Sequence, residues 1–316
     1  MSPNVHTEDC LPSEEYANVS TAAPRTYQIV YRNVLVVLYY HIAGFYGLYL
    51  GYISAMWTTL IFSCITFWCA GAGVIAGSHR LWAHRSYKAK PTLQLFLMLC
   101  HSLANQNTVI HWVRDHRLHH KFSDTDADPH NASRGLFFSH IGWLLVRKHP
   151  EVVRRGQVID MSDLTSNPAL RFQHDVWFIP LISFLLPTVI PLMWGESLLV
   201  AWHLNMARYI INMNMTFMIN SFSHTWGYRP FDKAIRPAQN KFMFVLTLGE
   251  GFHNFHHVFP CDYRSDELGS VFNSMAVFIE VCQALGLAYD LKTVPRKVLE
   301  ARIKRTGDGS HPWAEG

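Results

Sequence analysis

Asn33-VLVVLYYHIAGFYGLYLGYISAMWTTLIFSCITFWCAGAGVIAGS-His79 carries no Asp, Glu, Lys or Arg anywhere along its length. A bilayer core about 30 Å thick needs only about 20 helical residues to cross. Backbone polar groups in hydrocarbon must be satisfied within the segment, which makes helix the expected form. The stretch therefore predicts two spans, about 33–53 and 57–78, joined by a tight turn near Gly51 to Trp57.

A second apolar block begins at Val176, passes Pro180, Pro187 and Pro191 to Trp194, and resumes from Ser197 to Asn220. Only Glu196 at the turn and Arg208 interrupt it. It reads as a second hairpin, about 176–195 and 197–219, with its prolines tolerated where neighbours satisfy the freed carbonyls. Lys and Arg residues flank both hairpins, at Arg25 and Arg32, Arg80 to Lys90, Arg147 to Arg155, and Arg296 to Arg305, while the two turns carry none. The positive-inside tendency then places both termini and the central segment in the cytosol. The expected fold is an all-α integral membrane protein with four transmembrane helices and a cytosolic helical cap. A mobile cytosolic N-terminal tail (1–28) precedes the membrane domain (29–306), and a C-terminal tail (307–316) follows it.

Of the 316 residues 49% are hydrophobic, an ordinary fraction, so distribution rather than composition marks the membrane class. The net charge of +4 is too small to suggest nucleic acid and suits a face lying on anionic lipid. The acidic N-terminus (Glu8, Asp9, Glu14, Glu15) lacks the basic and apolar regions of a cleaved signal. Six cysteines, at 10, 64, 69, 100, 261 and 282, show no C-x-x-C spacing and are expected to be reduced.

The chemistry lies in three histidine clusters at or beyond the span ends: His79 and His84; His116, His119 and His120; His253, His256 and His257. On a helix, positions i, i+3 and i+4 share a face while adjacent residues diverge by about 100°. Each HxxHH triplet can thus aim at two points, and two facing helices could clasp two metals. His79 and His84 are five apart, which predicts that their helix ends or distorts between them. Imidazole suits zinc, copper, iron and nickel alike. His6, His41, His101, His111, His149, His174, His203 and His311 are lone and read as structural or solvated.

The segments HRLWAHRSYKA, WVRDHRLHHKFSDTDADPHNASRG, FFSHIGWLLVRKHP, GEGFHNFHHVFPCDYR and ARIKRTGDGSH resemble those of membrane acyl-CoA desaturases of the stearoyl-CoA desaturase type, from about Arg25 to His311. The wording is similar to insect enzymes, especially moth pheromone-gland desaturases of the Δ11 group. The resemblance adds Asn220-Ser-Phe-Ser-His224, with Phe222 and Ser223 where the family pattern has alanines. It implies two Fe(2+) ions, one on His79, His84, His116, His120 and His256, the other on His119, His224, His253, His257 and, through water, Asn220. It further implies a saturated acyl-CoA substrate, O2, electrons from cytochrome b5 and its NADH-dependent reductase, and an endoplasmic reticulum membrane. The product would serve unsaturated fatty acid or sex-pheromone precursor biosynthesis, by Δ11 or Δ9 desaturation. Asn107, Arg114 and Asp115 would lie near the CoA, with Arg147 and Lys148 by its phosphates. Gln106, Trp112, Thr216 and Phe217 would line the bend of the acyl tunnel, Phe217 standing where many relatives carry tryptophan.

Two motifs are set aside. Gly71-Ala-Gly73-Val-Ile-Ala76 fits the loose dinucleotide fingerprint but lies in an apolar span after no strand, so Gly73 and Gly77 are read as close-packing positions. Asp124-Thr-Asp126-Ala-Asp128 imitates a calcium loop without its glycine and glutamate, and is expected to orient ligating histidines, with His130 and His140 as candidates to join it. Three formal glycosylation sequons begin at Asn18, Asn131 and Asn214, and the expected topology leaves all three unmodified. The rival readings are a hydroxylase, epoxidase or conjugase of the same histidine-box class and, from another class, a membrane metal transporter. A transporter places ligands near the membrane midplane rather than at span ends.

Overall fold

The computed structural model describes residues 26–174, 177–247, 249–269 and 273–314. The first 25 residues, with Cys10 and the Asn18 sequon, lie outside them. Among the described residues the chain is mostly helical, with a small sheet that pairs β1 (Lys88–Ala89) antiparallel to β2 (Ala288–Tyr289).

The apolar stretch forms α1 (Tyr31–Ile53) and the 27-residue α2 (Trp57–Ala83), both long and apolar enough to cross a membrane. The main neighbour of α1 is not α2 but α6 (Leu198–Ser221). The reason is a small-residue face: a Cβ on Gly47 would lie 1.8 Å from the backbone oxygen of His203. Direct backbone approach of this kind holds helices together where lipid removes the hydrophobic drive.

Helix α2 likewise touches α3 (Pro91–Ala104) at a glycine, since a Cβ on Gly73 would lie 2.0 Å from the His101 nitrogen. Gly73 is therefore a packing residue, in keeping with the dismissal of a nucleotide loop. Helix α4 (Val109–Lys121) follows, started by the Thr108 side chain accepting from the His111 N–H.

Of the second expected hairpin, α5 (Phe178–Trp194) has only 17 residues and an uneven winding of α, π and 3-10 turns. Pro187 has no N–H to give to the Ser183 carbonyl four residues back. That carbonyl instead accepts from Asn205 Nδ2 at 3.0 Å and Arg208 Nη2 at 3.3 Å. Arg208 also donates to Asn205 Oδ1 and the Leu103 carbonyl, so the charge that interrupts the apolar block is buried on one side-chain amide oxygen and two backbone carbonyls, one of them freed by Pro187. The other interruption, Glu196, accepts from the Met56 N–H (2.9 Å) and its neighbour Ser197 N–H (3.0 Å). One carboxylate thus joins the α1–α2 turn to the start of α6.

Beyond α6 the chain forms a cap containing α7 (His253–Val258), α8 (Ser274–Ala284) and α9 (Arg296–Thr306). Phe231, Phe252, Phe255 and Phe259 make a core beneath α7, closed by Leu299 and Ile303 of α9. Residues 307–314 fold back on this core: Trp313 packs against it and the Asp308 carboxylate accepts from the Arg229 N–H. At the other end, the Gln28 carbonyl accepts from the Arg147 N–H. Cys64, Cys69, Cys100 and Cys282 are free thiols, but Cys261 is disulfide-bonded, which corrects the expectation that every cysteine is reduced. Asn131 is fully buried, and Asn214 is hydrogen-bonded within α6 and to His41, so neither offers a free amide to a glycan.

Candidate metal centre

The last eleven residues of α2, Gly73–Ala83, are π-wound, and the His84 N–H closes on the His79 carbonyl five residues back at 3.1 Å. A turn that closes at i+5 brings residues five apart onto one face. Here it places the His79 and His84 rings 4.8 Å apart. The spacing that looked wrong for an α-helix is right for this one, and the distortion falls where the sequence required it.

On α4, His116 and His120 share a face with ring centroids 4.6 Å apart, while His119 points elsewhere. On α7, His253 and His257 face one way and His256 the other. His224 arrives from the turn after α6. The result is two groups, His79, His84, His116, His120 and His256 in one, His119, His224, His253 and His257 in the other. Within each group the nitrogens lie within 4.8 Å of one another.

Nitrogens this close test whether a cation fits. The Nε2 atom of His256 lies 2.9 Å from that of His79 and 3.0 Å from that of His120. The Nε2 atom of His253 lies 3.0 Å from those of both His224 and His257. Burial first, then the neighbouring rings, push His84, His116, His120, His253, His256 and His257 well below the usual imidazole range. Neutral rings crowded nitrogen to nitrogen converge their lone pairs, which is the donor set a metal ion needs. His119 makes the point alone: its Nε2 is buried without a protein partner.

Carboxylates fix these rings from behind. Nδ1 of His119 donates to Asp128 Oδ2 at 2.9 Å, and Nδ1 of His224 donates to Asp124 Oδ2 at 3.0 Å. Such partners set the tautomer and make the facing nitrogen a better ligand. Two of the three acids in the calcium-loop mimic therefore do what was expected of them, while Asp126 is taken by Arg134. His130 lies beside His119 with the ring planes tilted and centroids 4.4 Å apart, and stands 3.4 Å from Asp128, while burial pushes its pKa down to about 3. His140 is elsewhere, bonded to Ser221 and Asn214. Sequence reasoning missed Glu250, whose Oε2 lies 3.4 Å from His79 Nδ1 and whose other oxygen pairs with fully buried Arg80. Its only signal was its place three residues before the last histidine triplet.

Two cavities meet at the first group of histidines, sharing Trp112, His116, Thr216 and Asn220. One is apolar, running between Phe67, Val74, Ile75 and Met275. The other passes Gln106 and Phe217 to a polar mouth at Asn107, Asp115 and Lys148. Gln106 Nε2 donates to Thr216 Oγ1 (2.8 Å) and its Oε1 accepts from Trp112 Nε1 (3.2 Å), which braces the elbow. Lys148 pairs with Asp115, as does Arg114, but Arg114 and Arg147 are not among the residues lining that cavity. Together these features describe two adjoining cavities, one apolar and one with a charged mouth, that meet at an elbow beside Trp112 and Thr216, with histidines of both groups on the apolar wall.

A sequence model of the fatty acid desaturase family matches residues 54–277. An acyl-CoA Delta(11) desaturase of Choristoneura rosaceana is 56% identical over 98% of this chain and 95% of its own length. A (11Z)-hexadec-11-enoyl-CoA conjugase of Bombyx mori is 52% identical over 93% of this chain and 91% of its own. An acyl-CoA Delta-9 desaturase of Acheta domesticus is 51% identical over 93% and 83%.

Proposed function

The chain belongs to the fatty acid desaturase family, and from that premise we propose that it is an oxygen-dependent acyl-CoA desaturase of the Δ11 type with one iron in each histidine group. The observation that carries this reading is the convergence of nine buried or half-buried imidazoles in two groups, of which His79, His116, His119 and His253 line an apolar cavity that adjoins a second one with a charged mouth. The apolar arm suits a fatty acyl chain. Lys148 at the polar mouth suits a phosphate of CoA, as do neighbouring Arg147 and Arg114. Asn107 and Asp115 offer hydrogen bonds to the rest of the head group.

Bound iron with dioxygen supplies the power, absent from every side chain, to remove hydrogen from an unactivated methylene. Two hydrogens leave adjacent carbons, and two electrons and two protons from outside complete the reduction of dioxygen to water. Cytochrome b5, recharged by its NADH-dependent reductase, is the proposed electron donor, and the chain needs no nucleotide site of its own. Its side chains position the substrate and exclude water. His119 and His224 are held as acceptors toward the metal by Asp128 and Asp124. Gln106, Trp112 and Thr216 bend the acyl chain, and Phe217 shapes the bend. Asn220, at the junction of the two cavities, would reach the second iron through water.

The proposed setting is the endoplasmic reticulum membrane, with four spans formed by α1, α2, α5 and α6 and both termini cytosolic, and 29–306 as the membrane domain. Glu196 supports this topology by tying the two turns that would face the lumen. The proposed product serves unsaturated fatty acid or sex-pheromone precursor biosynthesis, and the Δ11 and Δ9 desaturases among the relatives support the unsaturated product.

Expression in a desaturase-deficient host, with mass spectrometry of its lipids, tests the reading. An oxygen-dependent olefin, chiefly at carbon 11, is expected. Hydroxy or epoxy acids without an olefin would overturn it, and a conjugated diene would move the chain to the conjugase class.

A further inference from the structure

His101 stands between two parts of the site that are distant in sequence. Its ring is wholly buried in the last turn of α3, with Nε2 3.1 Å from the Asn107 carbonyl oxygen and Nδ1 2.7 Å from Ser78 Oγ. A carbonyl oxygen can only accept, so Nε2 carries the hydrogen, and the Nδ1 lone pair of the neutral ring accepts from the serine hydroxyl. Burial favours that neutral form, pushing the pKa down to about 4.

Both partners adjoin the chemistry. Ser78 precedes His79 in the π-wound segment and is itself fully buried. Asn107 ends a loop in which Asn105 (φ 48°) and Asn107 (φ 71°) both take the left-handed conformation. Non-glycine residues keep that conformation only where their surroundings over-determine it. Between them sits Gln106, the brace of the channel elbow, and Asn107 Oδ1 accepts the Thr108 N–H at the start of α4. The loop that bends the channel is thus tied through one imidazole to the turn that carries the first metal-facing histidine.

We propose that His101, bridging Ser78 to the Asn107 carbonyl, is a positioning residue that sets the register of the acyl chain at the metals and hence which carbon pair is desaturated. This rests on the channel reading given above. His101 lines neither cavity, so it acts through the loop and through Trp112, whose ring stands 6.5 Å from its own and lines both cavities. Without the bridge, the Asn107 carbonyl and the Ser78 hydroxyl lose their partners, and the elbow can relax relative to His79. A shift of the elbow by one methylene spacing would present a neighbouring carbon pair instead.

The test uses the full-length, iron-loaded enzyme with saturated acyl-CoA, comparing wild type, His101→Leu, Ser78→Ala and His101→Gln. Glutamine at 101 has an amide that can still donate to the Asn107 carbonyl. In His101→Leu the expected result is unchanged iron content, products spread over adjacent double-bond positions, and kcat/KM lowered about tenfold or more. Ser78→Ala should spread the products less, and His101→Gln should restore a single position. Unchanged product positions in His101→Leu, with kcat and KM within about twofold of wild type, would overturn the proposal. Loss of iron with the remaining product at its original position would also overturn it, because the bridge would then serve only the metal centre. If His101→Leu does not accumulate, Ser78→Ala and His101→Gln decide by the same readouts. Failure of the parent reading is separate, since wild type itself would then form no olefin.

Discussion

His119 is held by Asp128 at 2.9 Å through Nδ1, while its Nε2 is buried with no protein partner. Burial alone would lower its pKa, but Asp128, followed by Asp124, outweighs it and raises the value. The ring is thus more basic than its neighbours and aims its free nitrogen at the other members of its group.

Asp128→Asn removes that push while keeping the size of the side chain. Metal affinity at the His119 group is expected to fall about 10–100-fold. Metal analysis after dialysis against a chelator should find about half the iron of wild type, whereas Asp126→Asn, which weakens pairing with Arg134 and His149 but touches no member of the two histidine groups, should keep its iron. Equal iron content in Asp128→Asn and wild type would show that the carboxylate does not support a metal ligand.

Glu196→Gln keeps the shape of the join between the two turns and removes its charge. A carboxylate at backbone N–H groups is worth about 1–2 kcal/mol more than a neutral acceptor. Thermal unfolding in detergent should begin several degrees lower, with turnover at low temperature unchanged because the residue is far from the channel. An identical unfolding curve would mean that the two turns are held by other contacts.

Gly47 and Gly44 lie on the same face of α1 but predict different outcomes. A Cβ at 47 meets the His203 backbone, whereas one at 44 meets the movable Ile210 side chain. Gly47→Ala should yield little folded protein, and Gly44→Ala should lose about 1–3 kcal/mol at most. Comparable yields would show that α1 and α6 separate more easily than this approach implies.

Those glycines also mark the limit of what the sequence made legible. The charge-free run announced α1 and α2, and the HxxHH spacing announced two facing groups of imidazoles. The assignment of His224 and the division between the groups came from family resemblance rather than periodicity. Pairing of α1 with α6 was hidden because a lone glycine does not name its partner. The π winding at His79 was legible only as an irregularity, since five-residue spacing fits either a helix end or a wider turn. Glu250 was missed and His101 read only as structural or solvated, because a lone acid or imidazole gains meaning only from neighbours brought by folding.

Lys148→Gln tests the charged mouth. Losing one charge-assisted contact to a phosphate should raise KM for acyl-CoA about tenfold and leave kcat nearly unchanged. An unchanged KM would show that Lys148 does not contact the phosphates of the ligand.

X-ray absorption at the iron edge of purified, active enzyme, with the metal content of the same sample, tests the central claim most directly. The account predicts two irons per chain, each in a shell dominated by imidazole nitrogen with no bridging carboxylate. Active enzyme with one iron or none, or a shell dominated by carboxylate oxygen, would contradict it.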